Sequence, residues 1–600
     1  MNANRNQLTS GGALIGDNNS QLSYTGDGGP YLVKEYTVQG LDALSWNHGA
    51  HAFKFGANII NRRVNFFQGN DSKGFFNFVS ASSGVPNWTG YDASEALVGF
   101  SNYPLGASSD FFDTHNWETG YFGQDDWKVS RRLTLNLGLR YDLYTYPYTA
   151  NNQQSNFDIS TGQLLVAGQN GQSRSQVDTN HNNIAPRVGF AYDVLGTGNT
   201  VLRGGYGIFY FLDRGGIGNQ LSNNPDFNGT SSYNSNNGYR VTFTGQGPSG
   251  NNDSRLATAA LPAPTSTVDI ANPQNVSVIT QLPNNQTSTI QQWNMQLQQA
   301  IGKSAVTFAY VGTRGTHLVT TYNLNQQPLG FLGYGNDFRL YPQLGGNAMV
   351  NSNNGVSSYH GLQLHFEHRL TQGLTTTASY TWSHTTDDSI SPLGNESNQI
   401  FINPATRSAM LNLNKGNSFQ DQRNVFNFST IYDLPFGRGR QFMANVSKPM
   451  DYLLGGWQMN AIAQLNTGTP FTVIDSHNAP TNFADLVAPA VVTNSVTRPY
   501  FTTTSFAAPA DIDGVYTNPG TAGRGILHGP GNKILNLAVQ KNFPITERVN
   551  TEFRTEAFNL FNTPQFSNPD SNLNDQNFGL ISGMQYNSVR QIQFALRVTF

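Results

Sequence analysis

Apolar and polar residues alternate one by one over long stretches of this chain. Between 131 and 146, Leu133, Leu135, Leu137, Leu139, Tyr141 and Leu143 share one parity, and Thr134, Asn136, Gly138, Arg140 and Asp142 share the other. Successive side chains of a strand point to opposite faces, so such a segment is apolar on one face and polar on the other. In 287–300, Trp293, Met295 and Leu297 oppose Gln292, Asn294, Gln296 and Gln298; in 374–384, Ala378, Tyr380 and Trp382 oppose Thr377, Ser379, Thr381 and Ser383. The last segment, 588–600, places Ile592, Phe594, Leu596, Val598 and Phe600 against Gln591, Gln593, Ala595, Arg597 and Thr599. A strand of a soluble sandwich shows the same alternation. Here, however, it runs to the carboxyl terminus and stops on an aromatic residue, where a soluble domain more often leaves its last residues loose.

Fifteen such segments can be laid out, near 35–46, 51–64, 117–128, 131–146, 184–194, 200–210, 287–300, 304–318, 358–370, 374–384, 422–433, 456–466, 532–542, 548–558 and 588–600. Most exceed the roughly 9–11 residues that a tilted strand needs to cross a bilayer. Their polar faces carry uncharged amides and hydroxyls, which suit a wet lumen better than a packed core. The connections alternate in length. Short ones fall near 47–50, 129–130, 195–199, 301–303, 371–373 and 543–547, and a medium one spans 434–455. Long ones lie between them, and the two longest, near 211–286 and 467–531, run to roughly 65–75 residues, well beyond ordinary loops. Short turns on one rim and long loops on the other are the pattern of an outer-membrane barrel. The fold class expected is all-β, a transmembrane antiparallel β-barrel.

This expectation assigns residues to faces and rims. Leu133, Leu135, Leu137, Leu139 and Ile592 are expected to meet lipid, and Asn136, Arg140, Gln593 and Arg597 the lumen. Trp46, Trp127 and Trp457 sit at short turns and Trp382 toward the long-loop rim, where amphipathic indoles favour the membrane interface; Trp117 follows them, whereas Trp88 and Trp293 depart from the pattern. Phe594, Leu596, Val598 and Phe600 form the strand expected to close the sheet, because an open edge in lipid leaves backbone groups unpaired.

Composition agrees. Of 600 residues only 12% are charged, 12% are aromatic with 39 Phe and 26 Tyr, and 61 are Gly. A mean hydropathy of -0.42 and the absence of any apolar run approaching 18 residues exclude a helical membrane protein. A net charge of -3 offers no basic face for nucleic acid. Without cysteine, disulfides and thiolate metal sites are excluded. The long loops, rich in Asn, Gly, Ser, Thr and Pro, read either as mobile surface or as a device for ligand capture.

Candidate chemistry is thin. His365 and His368 lie three apart on a strand and so on opposite faces. His48 and His51 flank a turn. Asp125–Asp126 and Asp387–Asp388 are adjacent pairs whose carboxylates diverge, unlike a glycosidase pair held across a sugar; Asp126 and Asp388 read as lumen or rim charges. Gly523 and Gly525 in TAGRGILHGPG make a poor dinucleotide fingerprint. Asn87, Asn228 and Asn275 begin sequons that a bacterial outer-membrane protein would not ordinarily use. No nucleophile, base and orienter can be assembled, so no enzyme, cofactor or metal is expected.

Several stretches resemble a known family. YFGQDDWKVSRRLTLNLGLRYD at 121–142 is similar to a hallmark of TonB-dependent outer-membrane receptors. RGGYGIFY at 203–210, YVGTRGTHL at 310–318, DQRNVFNFSTIYDLPFG at 421–437 and FRTEAFNLFNTPQF at 553–566 resemble the Oar-like group of that superfamily, in the same order. The resemblance implies a barrel of about 22 strands with an N-terminal plug, and uptake of a solute energised through the TonB complex. It also implies a gram-negative outer membrane as host, its lipid and its barrel-assembly machinery as partners, and a terminal Phe600 read by that machinery. The resemblance does not choose the solute, which could be a glycan fragment, a peptide or a siderophore. A passive porin-like pore and a surface adhesin remain the rival readings. No plug precedes the first strand, residues 1–34 read as an extracellular segment, and MNANRNQLTSGGALIGDNNS has no apolar core of a signal peptide. The chain is therefore expected to hold 35–600 as the carboxyl-terminal part of the barrel, about 15 strands of the family's about 22, either as an incomplete barrel or as one closed by a strained seam between the first strand and the last. If Phe600 closes and targets the sheet, its deletion should lower the amount of protein inserted in the outer membrane, measured by surface labelling, more than it changes any solute affinity.

Overall fold

A computed structural model describes residues 14–17, 31–68, 75–78, 100–101, 103–109, 111–212, 221–225, 227–232, 239–240, 269–274, 276–327, 338–371, 373–388, 411–476, 483–512, 515–516, 518–546, 548–585 and 588–600. Every expected segment is a strand. They are β1 (Tyr31–His48), β2 (His51–Gln68), β3 (Phe112–Lys128), β4 (Leu133–Tyr144), β5 (Ile184–Asp193), β6 (Thr200–Phe211), β7 (Ser288–Ile301), β8 (Ser304–Asn323), β9 (Gly345–Thr371), β10 (Leu374–Asp387), β11 (Asn424–Asp433), β12 (Trp457–Asn466), β13 (Asn532–Pro544), β14 (Asn550–Phe558) and β15 (Gln591–Thr599).

Each strand pairs antiparallel with the next from β1 to β15, an unbroken meander within an 18-stranded sheet. Three short strands, at Tyr148–Thr149, Val276–Gln281 and Gly416–Asn417, attach to it beside β3, β9 and β10. Among the described residues β1 pairs only with β2 and β15 only with β14, so the sheet is open between its first and last strands. Both faces of β15 are accordingly exposed, from Gln591 to Thr599 with the exception of Ala595.

In an antiparallel meander the connections fall alternately on two rims. The short ones share one rim: β1 to β2 through Gly49 at φ 58°, β7 to β8 through Gly302 at φ 59°, and β9 to β10 through Gly373 at φ 81°. These left-handed positions suit glycine, which has no Cβ to clash. At the β5–β6 turn Asp193 holds the chain, accepting from the Gly196 and Gly198 N–H groups at 2.9 and 2.8 Å.

The register carries the alternation across strands. Leu202, Leu297, Phe308, Leu364, Tyr380, Phe426 and Leu465 stand side by side on β6 to β12, and such cross-strand pairs are the unit of sheet stabilisation. On β4, Leu135 pairs with Phe190 and Leu137 with Val188 on the same apolar face. Trp293, which the interface pattern does not explain, lies over Gly312 on β8, where a Cβ would collide with the indole. The opposite face holds a paired polar network: Arg62 donates to Glu118 at 2.8 Å, Arg140 to Asp142 at 2.7 Å, and Arg203 to Gln298 at 2.7 Å.

Several strands outrun their expected bounds. β1 begins at Tyr31, so Tyr31–Lys34 belong to the sheet rather than to a leading loop. β8 continues to Asn323 past register shifts at Gly315–Leu318 and Leu318–Thr320, and β9 begins at Gly345 rather than near 358. At about 3.3 Å per residue the 27 residues of β9 reach roughly 90 Å, so its upper half stands clear of any bilayer. The extensions of β8 and β9 lack apolar alternation because they pack against loop residues, such as Val278 in Val276–Gln281.

The buried hydrophobic residues concentrate in the long connections. One core joins Phe157, Leu164, Val278, Tyr322, Leu344 and Val350; another joins Phe471, Val473, Tyr500, Phe501, Phe506 and Leu527. Phe501 is the hinge of the second, meeting Phe506 and Phe578 edge-on at centroid distances of 5.7 and 5.4 Å.

Face assignment has a direct energetic consequence. In urea titrations of protein folded into vesicles, Leu137→Arg should cost about 2–4 kcal/mol. Asn136→Ser, on the other face, forfeits only the 2.6 Å bond to Asp126, about 1 kcal/mol. Equal costs at the two positions would overturn the face assignment.

Candidate functional site

The described loops meet at the long-loop rim above β5 to β8. Residues 178–182 lead into β5 and residues 284–287 into β7, and the two segments are tied by the Asp178 N–H donating to the Pro283 carbonyl at 2.8 Å. Between them and the strand ends is a cavity of about 340 Å3. Its wall carries Asn180, Asn182, Asn284, Asn285, Gln286 and Thr287, with Tyr210 and Thr289 from the strand ends, His317 from the register shift in β8 and Asp178 as the one acidic group.

The cavity is built from sharply held backbone. Tyr144 donates from its hydroxyl to the Tyr210 carbonyl at 2.9 Å, and Tyr210 donates onward to the Ile184 carbonyl at 3.3 Å. His317 occupies the left-handed region at φ 55°, uncommon for a residue with a Cβ. Its carbonyl accepts from the Ser288 hydroxyl at 2.8 Å and from Asn353 at 3.2 Å, which anchors the conformation. Binding pockets are usually lined mainly by apolar groups; this one presents neutral amides, each able to donate and accept. That lining matches a ligand rich in hydroxyl or amide groups.

A second cluster holds the loops to β10. Arg524, 4% exposed, donates to the Asn414 carbonyl at 2.9 Å and to the Asp387 carbonyl at 3.3 Å, and pairs with the Asp387 carboxylate. Burial lowers its pKa to about 10. Gly523 and Gly525, at φ 75° and 61°, turn the chain on either side of it; the glycines that fail as a dinucleotide fingerprint thus serve to insert an arginine. Asp421 is fully buried and accepts from the Thr385 N–H at 2.6 Å and from Arg423 at 2.7 Å. Pattern reading missed this cluster, since its members are separated by up to 137 residues.

The remaining sequence-derived candidates separate. His365 bonds Ser379 and His368 bonds Ser304, each at 2.8 Å. His51 pairs with Asp125 at 2.7 Å and stacks on Trp127 and Phe53, with Trp46 next in the ladder. Trp46, Trp127 and Trp457 stand at the short-turn rim, and Trp382, 58% exposed, pairs with Leu362 toward the other. Leu133, Leu135, Leu137 and Leu139 share a face of β4 opposite Asn136 and Arg140. On β15, Ile592, Phe594 and Leu596 align with Ala557, Thr555 and Phe553, whereas Gln593 and Arg597 align with Glu556 and Glu552. Val598 continues the apolar parity, and Phe600 is 97% exposed. Trp88 lies outside the described residues, as do Asn87 and Asn275.

With this geometry in hand, the chain belongs to the outer membrane beta barrel domain family, whose model matches residues 2–593. Its place is the cell outer membrane. Among solved structures it is similar to the outer membrane transporter YddB from Escherichia coli, at 11% identity and a TM-score of 0.48 over 98% of this chain and 58% of that one. It is also similar to the pyoverdine outer membrane receptor FpvA from Pseudomonas aeruginosa, at 10% identity and a TM-score of 0.46 over 95% of this chain and 53% of that one. The siderophore receptor PiuA from Acinetobacter baumannii follows at 11% identity and a TM-score of 0.44, over 96% and 57%. This chain thus spans a little over half the length of these transporters. No curated protein matches it significantly.

The Asp388 carboxyl, 5% exposed, tests the loop anchorage. It accepts the Val356 N–H at 2.7 Å, and burial pushes its pKa above the ordinary carboxylate value. A folded-state pKa raised above the unfolded one means stability that is present at low pH and lost as pH rises through the folded value. Asp388→Asn keeps the shape and carries no charge. Its melting temperature relative to the unaltered protein should be lowest in acid and rise as pH climbs through the carboxylate range.

Proposed function

We propose that this chain is the barrel portion of a TonB-dependent outer-membrane receptor of the Oar-like group, taking a bulky solute at its long-loop rim for energised uptake into the periplasm. The observation that carries the reading is the amide-lined cavity on the rim opposite the short turns, the side that faces outward when short turns face the periplasm. The family motifs at 121–142, 203–210, 310–318, 421–437 and 553–566 support the TonB-dependent assignment. The apolar faces of β4 and β15, with Leu137, Leu139, Phe594 and Leu596, are read as lipid-facing, and Asn136, Arg140, Gln593 and Arg597 as lumen-facing. The TonB complex, the plug and the barrel-assembly machinery are partners implied by the same reading.

The cavity favours a neutral, hydroxyl- or amide-rich solute, an oligosaccharide or a peptide, over a strongly anionic one, because its lining among the described residues carries no Arg or Lys. Uptake of radiolabelled neutral oligosaccharides and peptides by cells expressing the whole receptor checks this. A net hydrogen bond is worth about 0.5–1.5 kcal/mol, so Asn285→Ala and His317→Ala should each weaken uptake about two- to tenfold at unchanged surface levels. Uptake should saturate and stop with a protonophore. Linear uptake that ignores the protonophore and both substitutions would identify a passive pore.

A further inference from the structure

One connection on the short-turn rim is unlike the others. Between β11 and β12 the chain runs from Leu434 to Gly456 and forms a short helix, α1 (Lys448–Leu454). Almost nothing of it is buried: Phe436, Phe442, Met443, Met450, Tyr452 and Leu453 are all exposed, Leu453 at 67%. Arg438, Arg440 and Lys448 are exposed beside them. The acidic group of the segment, Asp451, turns inward and accepts the Arg438 N–H at 2.7 Å. The outward charge is therefore basic, on a surface otherwise aromatic and aliphatic.

The position of this segment follows from Lys541. On β13, Lys541 shares the parity of Leu537 and Val539 and pairs with Trp457 and Phe553, the apolar face. A lysine there is costly in contact with lipid unless it reaches a polar partner. It is 3% exposed: its ammonium donates to the Gly455 carbonyl and lies 5.0 Å from the Trp457 ring and 4.9 Å from the Phe543 ring. Trp457 donates to the Leu453 carbonyl at 2.9 Å, and Tyr452 to the Pro544 carbonyl at 2.5 Å. α1 is thus folded against the apolar face at its short-turn end, continuous with the band of exposed apolar side chains above it.

We propose that the 434–456 segment is a membrane anchor seated in the periplasmic leaflet, its aromatic and aliphatic side chains at the headgroup boundary and Arg438, Arg440 and Lys448 on anionic phospholipid headgroups. The proposal rests on the topology assigned above. An exposed apolar surface rimmed by cations is the chemistry that binds an anionic lipid interface. Its continuity with the apolar face of the sheet places that interface beside it. Such a contact fixes the height of the sheet in the bilayer and shields Lys541 from it.

The absence of native cysteine makes the test direct. Leu453→Cys, Lys303→Cys on a plain turn of the same rim, and Leu139→Cys on β4 are each labelled with an environment-sensitive fluorophore. The proteins are folded into phosphatidylcholine vesicles with and without phosphatidylglycerol. The Leu453 label should be quenched by shallow doxyl lipid and shielded from iodide, most strongly with phosphatidylglycerol present, while the Lys303 label stays open to iodide. Raising the ionic strength should at least double the iodide quenching of the Leu453 label, because headgroup attraction is screened; the combined R438E, R440E and K448E variant should do the same. Iodide quenching of Leu453 equal to that of Lys303, with Leu139 still in lipid, overturns the anchor and leaves the barrel reading standing. A Leu453 label buried to the same depth at every salt and lipid charge overturns the headgroup contact. A Leu139 label in water overturns both readings.

Discussion

Everything in this molecule depends on where backbone N–H and C=O groups find partners. A strand in a bilayer has no water to bond, so each must pair along both edges with its neighbours. The chain meets that demand in the simplest way, each strand bonding to the next from β1 to β15. Sequence neighbours become spatial neighbours, short turns must collect on one rim and long loops on the other, and side-chain parity must run in register across the sheet. The row from Leu202 to Leu465 is that register made visible. The unpaired edges of β1 and β15 are the two places where the demand is unmet among the described residues.

Parity then sorts charge. Arg62, Glu118, Arg140, Asp142 and Arg203 fall on one face and compensate one another or neighbouring amides. The other face is mostly leucine, aromatic rings and glycine, with few charges such as Asp125 and Lys541. Charges on that face are received locally: His51 pairs with Asp125 beside Phe53 and Trp127, and a carbonyl and two rings receive Lys541 under the helical connection.

The strands were legible in the sequence because each carries its signal within itself. Period-2 alternation from Leu133 to Leu143 needs no knowledge of the partner strand, and all fifteen segments were found in order. The loop cores were not legible. Phe501 and Phe578 pack edge to face, and Phe157 meets Tyr341, across distances no window of alternation spans. The strands within those loops are mostly two to six residues long, too short to show a period. The upper parts of β8 and β9 were missed for a related reason: Thr320, Asn351 and Ser352 are buried polar residues, Thr320 bonded to Ser352 at 2.9 Å and Asn351 accepting from Thr321 at 2.6 Å, so they read as loop. The cavity at 178–182 and 284–287 was invisible because asparagine and threonine are also what solvated loops are made of.

The long strands and the loop cores together explain how a polar cavity can be held open. Amide side chains bind a polar solute well only when they do not have to be ordered at the moment of binding, since each immobilised side chain costs about 0.5–1.5 kcal/mol. Here the order is supplied in advance. β8 and β9 run together beyond the expected span, and β9 pairs with Val276–Gln281, which packs through Val278 into the core that also receives Phe157 and Leu344. Asn156 clamps the end of that strand, donating to the Gln281 carbonyl at 2.8 Å and accepting its N–H at 3.0 Å. The chain then runs three residues to the cavity wall at Asn284. His317 is held in its left-handed conformation by Ser288 and Asn353 from opposite sides. The strain at His317 is therefore supported by the same extended strands that support the loop core, and the site inherits its rigidity from the sheet rather than from the loops that line it.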